Sequence, residues 1–114
     1  MTLTLHRSDD FNHDFDLQYR WYLQQAGEAV AERYLQALLG TLRLLATQPG
    51  VGRQRKFRHP ALRGIRSFRL ASPFEVHLIF YRAHAGELVA ERLMSEEFGV
   101  RACRIARLQL TALP

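Results

Sequence analysis

The sequence predicts an α+β fold in the order β-α-α-β-β-β, with a helical hairpin packed on one face of a small, mainly antiparallel sheet. Three observations carry this expectation. Two apolar stripes of helical period run through residues 9–47 and are broken only at Gln25-Ala26-Gly27. Beyond Pro49-Gly50-Val51-Gly52 the period changes to two, and the alternation is cleanest from Phe74 to Tyr81. With 114 residues, 47% apolar and 24% charged, the chain suits one core rather than two.

The elements follow in order. Thr2 to His6 alternates as a short strand with Leu3 and Leu5 on one face. Ser8 is placed to cap a helix, and Asp9 and Asp10 put negative charge in its first turn, where the helix dipole favours it. Phe11, Phe15, Tyr19 and Tyr22 form the stripe of that helix, with Leu17 and Trp21 beside them. A second helix spans about Glu28 to Thr47, carrying Val30, Tyr34, Leu38, Leu42 and Leu45; the short connection makes the pair a hairpin. A basic loop runs to Pro60. Leu62 to Leu70 reads as a strand in which Ile65 is out of phase, which predicts a bulge near Gly64. Ala83-His84-Ala85-Gly86 turns the Phe74–Tyr81 strand into a last strand from Glu87 to Met94. The domain is expected to end near residue 95. Residues 96–114 form a basic tail in which Arg101, Arg104 and Arg107 recur every third position, so either a short amphipathic helix or a disordered tail is expected.

Charge is distributed unevenly. Residues 1–32 hold six acids against Arg7 and Arg20, whereas residues 33–74 hold nine basic residues and no acid; residues 75–114 balance. Fifteen of the sixteen basic residues are arginine, whose planar fork pairs with carboxylate or phosphate. The basic block therefore calls for an acidic partner, nucleic acid or protein. No apolar run approaches the roughly 20 residues that cross a bilayer, and the start of the chain lacks a signal-peptide layout, so a cytoplasmic chain without a membrane partner is expected. The lone Cys103 forms no internal disulfide. The five histidines have no metal-binding spacing, so neither metal nor cofactor is expected. Gly50-Val51-Gly52 lacks the strand-to-helix setting of a phosphate loop, and Ser67, Ser72 and Ser95 lack a nucleophile elbow.

The remaining chemistry lies with Arg63, Arg66 and Arg69 on one expected strand, Tyr81 and Arg82 on the next, and Arg92 on the last. A sheet face lined by these groups can grip a phosphate backbone and stabilise a phosphorane-like transition state, dock an acidic peptide, or pair its arginines with the acidic first helix.

Ala31-Glu32-Arg33-Tyr34, Leu45-x-x-x-Pro49-x-x-Gly52-Arg53, Leu62-Arg63-Gly64-Ile65-Arg66-Ser67-Phe68, His77-Leu78-Ile79-Phe80-Tyr81-Arg82 and Glu91-Arg92-Leu93 follow one another along the chain. In this order and spacing they resemble the RelE/ParE superfamily of type II toxins, often labelled plasmid stabilisation proteins. The resemblance implies a small basic toxin neutralised by a co-encoded antitoxin. Within it, the long second helix and the Leu-Arg-Gly-Ile-Arg and His-Leu-Ile-Phe-Tyr-Arg stretches are similar to the ParE-like branch, which poisons DNA gyrase. The alternative is a RelE-like, ribosome-dependent mRNA endonuclease, for which Arg63, Arg66, Tyr81, Arg82 and Arg92 would be the catalytic set. That reading meets a sheet without lysine, and Ser95 stands where relatives carry a histidine, leaving Tyr81 as the acid–base candidate. A third reading is an inactive toxin that only binds its antitoxin. The expected target- or antitoxin-binding residues are Arg53, Arg55, Lys56, Arg58, Arg63, Arg66, Arg69 and Arg82.

Overall fold

The computed structural model describes residues 2–95. Strand β1 (Thr4–Arg7) leads into α1 (Asp9–Ala26) and α2 (Glu28–Thr47), followed by β2 (Arg53–Gln54), β3 (Arg66–Arg69), β4 (His77–His84) and β5 (Glu87–Ser95). Short 3-10 turns lie at Pro49–Val51 and Pro60–Leu62. The five strands form one mixed sheet in the order β1-β5-β4-β3-β2, with β1 parallel to β5 and every other pair antiparallel. The expected architecture therefore holds, with one more strand. The reading of the tail at 96–114 lies outside the described residues.

The helices form where the local signals placed them. The Ser8 hydroxyl oxygen accepts from the Phe11 amide at 2.9 Å and donates to the Glu91 carbonyl at 2.7 Å, so one side chain caps α1 and fastens it to β5. Gly27, at φ 91°, ends α1 and starts α2 by itself, which is why the hairpin needs no longer connection. Its inner face buries Phe11, Tyr34, Leu38, Leu42 and Leu45 against Ile79, Tyr81, Leu88 and Ala90 of the sheet. Leu17 and Trp21, beside the stripe of α1, stay about half exposed, at 50% and 52%.

Five expectations for the sheet are corrected. The Leu62–Leu70 strand is shortened to Arg66–Arg69, because Pro60–Leu62 closes a 3-10 turn and Gly64 takes φ 80°; Arg63 thus precedes the strand. Residues 53–54, expected as loop, pair with Ser67 and Arg66 as β2. The alternation from Phe74 belongs to a turn for its first three residues, since Phe74 N–H bonds Ala71 O and His77 N–H bonds Phe74 O; the strand begins only at His77. No bulge sits at Gly64. It lies in the β4–β5 ladder, where Phe80 faces Arg92 and Tyr81 faces Ala90, leaving Glu91 as the extra residue. The β4–β5 turn is also tighter than expected, with Ala85 and Gly86 both at positive φ, as a type I′ hairpin requires.

Candidate functional site

The alternation of β3 and β4 divides the predicted side chains between two faces. Arg66 and Tyr81 are cross-strand partners and turn toward the Pro49–Gly52 segment that follows α2. The Tyr81 hydroxyl donates to Pro49 O at 2.6 Å and accepts from Gly52 N–H at 3.0 Å, while Arg66 Nη1 donates to Gly52 O at 2.9 Å. Tyr81 is fully buried; burial raises its pKa, opposed by the Gly52 N–H bond and the Arg66 charge. Gly52 is demanded by this contact, because a Cβ there would overlap the Tyr81 hydroxyl and two of its ring carbons.

On the opposite face, Arg82 Nε pairs with Glu91 at 2.9 Å and its Nη2 donates to Ala61 O at 2.7 Å. Arg55 Nε donates to Ser67 Oγ at 2.7 Å, and its guanidinium lies 5.9 Å from the Phe80 ring centroid. Arg69 donates to Glu75 O at 3.0 Å. Arg92 goes elsewhere. At the bulge the strand alternation breaks, and Arg92 binds Asp14 of α1 through Nε at 2.8 Å and Nη2 at 3.0 Å, a bidentate pair that the Leu93 N–H supplements at 3.0 Å. The hydrogen bond from Asp14 holds the Arg92 guanidinium above its ordinary pKa, against the opposing effect of burial.

Of the nuclease set, the fold thus brings Arg66 and Tyr81 together, and each of Arg82 and Arg92 has its own acidic partner. Arg63 stands on the turn before β3. By contrast, Arg53, Lys56, Arg58 and Arg63 are exposed and form no ion pair among the described residues. A groove of about 630 Å³ lies between α2 and β3, walled by Gly40 and Leu44 on one side and Phe68 and Leu70 on the other, with Arg53 and Arg55 also lining it. Sequence reasoning missed Asp14, Gly52 and Phe57. Asp14 acts across 78 residues and gives no local signal; Gly52 signals a stop and a family stretch but not its contact with Tyr81; Phe57, 44% exposed, stands in a loop whose sequence signal is its charge. Among the described residues no group of acids, histidines and cysteines is placed to hold a metal ion, and no helix is long and apolar enough to cross a membrane.

The hairpin-on-sheet fold is one that solved structures share. A chain of the "Chromosomal ParDE TA system from P. aeruginosa" superposes with a TM-score of 0.66 at 19% identity, covering 82% of this chain and 96% of that one. The solution structure of the conserved hypothetical protein HP0894 from Helicobacter pylori gives 0.52 at 20% identity, covering 83% and 96%. No curated protein sequence matches the chain. The family described as "ParE toxin of type II toxin-antitoxin system, parDE" matches residues 5–95, and the chain belongs to it.

Proposed function

We propose that this chain is a ParE-like toxin that binds DNA gyrase and traps its cleaved DNA intermediate until a co-encoded antitoxin removes it. Besides membership of the family, the observation that carries this reading is the engagement of Tyr81. A nuclease would need a group free to protonate the leaving oxygen, and the Tyr81 hydroxyl is committed to Pro49 O in a buried setting that raises its pKa. A gyrase poison needs a binding surface rather than an acid–base pair. Arg53, Arg55, Lys56, Arg58, Arg63, Arg66, Arg69 and Arg82 are its proposed contact residues, shared between target and antitoxin.

The groove between α2 and β3 suits the antitoxin. An acidic amphipathic segment laid there buries apolar side chains against Leu44 and Phe68 and sets its carboxylates beside Arg53 and Arg55. Such binding stabilises the toxin by mass action. The work of such a protein is cytoplasmic. The test incubates purified, antitoxin-free protein with gyrase, supercoiled plasmid and ATP, then denatures and digests the proteins. Linear plasmid that depends on both proteins is the expected result. Unchanged supercoiling without linear DNA, from protein shown to be folded, overturns the reading in favour of mRNA cleavage or an inactive toxin.

A further inference from the structure

Residues 53–63 concentrate cations that the fold does not use. Arg66, Arg82 and Arg92 are held by carbonyls or carboxylates, but Arg53, Lys56, Arg58 and Arg63 project from the loop with no ion pair among the described residues, and the segment holds no acid. The loop backbone is nonetheless fixed at several points. Tyr81 and Arg66 clamp its start at Gly52, Arg55 N–H bonds Ile65 O, Arg82 holds Ala61 O, and the His59 ring accepts from Ala61 N–H. A set backbone with free cationic side chains loses little further entropy when it meets a polyanion.

Phe57 tells the polyanions apart. It is the one large apolar side chain exposed within the segment, 44% accessible, and Lys56 and Arg58 flank it. An acidic protein helix would present a row of apolar side chains and needs a contiguous apolar surface in return, which a lone ring between cations does not offer. A single-stranded nucleic acid presents phosphates to the cations and an unpaired base face to the ring, the pairing of groups found in sequence-tolerant single-strand binding. We infer that loop 53–63 binds single-stranded DNA directly, through Arg53, Lys56, Arg58 and Arg63 on phosphates and Phe57 stacked on a base. None of these contacts requires a 2′-hydroxyl, so a DNA strand supplies every group they use.

Fluorescence anisotropy of the full chain with labelled oligothymidylate of about 15 nucleotides tests this, with neither gyrase nor antitoxin present, so its outcome is separate from that of the gyrase assay. The expected result is binding whose log K falls linearly with log salt, and a slope that becomes shallower by about 1.4 when Lys56→Ala and Arg58→Ala are combined. Phe57→Ala should weaken binding by about fivefold or more with the slope unchanged, and a duplex of the same length should bind less tightly than the single strand. Thermal unfolding of the variants should match the parent, because these side chains are exposed. Four results would overturn the inference. They are no binding at low salt, polyglutamate competing as well as oligothymidylate, duplex preferred with Phe57→Ala silent, and oligouridylate bound more than about tenfold tighter.

Discussion

The Tyr81 hydroxyl donates to Pro49 O at 2.6 Å and accepts from Gly52 N–H at 3.0 Å, joining the centre of the sheet to the segment where α2 ends and the basic loop begins. Both bonds are made away from bulk water, where an unmet partner is costly. Tyr81→Phe keeps the ring and removes both. It should lower stability by about 1–3 kcal/mol in urea unfolding. Because the hydroxyl is assigned to structure, gyrase poisoning by the variant should persist under conditions where it is folded; loss of poisoning in folded protein would return Tyr81 to a chemical role.

Gly52 has no room for a side chain. A Cβ would meet Tyr81 ring carbons at 2.8 Å and overlap the hydroxyl itself, and the ring cannot retreat because Tyr81 is fully buried. Gly52→Ala should therefore cost about 1–3 kcal/mol by overpacking. Combined with Tyr81→Phe it should cost less than the sum of the two single changes, since the second removes the atom most closely met. Additive losses in a double-mutant cycle would show that the two positions are not coupled through this contact.

Asp14 carries three hydrogen bonds to β5, two from Arg92 and one from the Leu93 amide, with its side chain only 12% exposed. Asp14→Ala leaves the Arg92 guanidinium and a backbone N–H without their acceptor. A loss of about 2–4 kcal/mol is expected. Arg92→Ala should cost less, because Asp14 keeps the Leu93 amide. Chemical denaturation of both variants checks the order, and the reverse order would assign Arg92 a further contact.

The helices were legible because their signals are local. Ser8, the acidic pair after it, Gly27 and the stop at Pro49-Gly50 are each read within a turn of where they act, and the bounds of α1 and α2 follow from them. Strands gave less. Arg53 and Gln54 have no apolar alternation and become β2 only by pairing with β3, while Phe74 and Val76 share the period of β4 but fall in a turn. The alternation sets Phe74, Val76, Leu78 and Phe80 against Glu75, His77, Ile79 and Tyr81, and the structure turns His77, Ile79 and Tyr81 of the second set to the helices. For the site, residue types were legible and partners were not. Arg92 and Asp14 meet across the whole domain, and only the bulge at Glu91 brings them together.

His77 sits 2% exposed beneath the hairpin, its Nε2 2.8 Å from the Tyr22 hydroxyl and its ring 5.0 Å from that of Tyr34. Burial lowers its pKa to about 4, against 6.5 in the unfolded chain. Below 6.5 the unfolded state takes up a proton that the folded state refuses, so the stabilising contribution is complete above pH 6.5 and is lost as the pH falls toward 4. The full loss is about 3 kcal/mol. His77→Gln removes the titration, so the difference between the parent and variant unfolding free energies should slope across pH 4–6.5 and flatten on either side. A constant difference would mean that the histidine titrates alike in both states.

Gly40 lies in the middle of α2, exposed, with open space where a Cβ would stand, and it lines the groove between α2 and β3. A mid-helix glycine costs about 1 kcal/mol relative to alanine, so Gly40→Ala should stabilise the isolated toxin by about 0.5–1 kcal/mol. The sequence forgoes that gain at a position where a side chain would narrow the proposed antitoxin seat. Gly40→Phe takes the test further, because it adds a large side chain at a groove-lining position whose Cβ site has no neighbour within 4 Å. The variant should fold, retain gyrase poisoning and bind the antitoxin at least about tenfold more weakly, a loss of roughly 1.4 kcal/mol. Binding unchanged in calorimetry would move the antitoxin off this groove, whereas poisoning lost together with antitoxin binding would place the target on the same wall of α2.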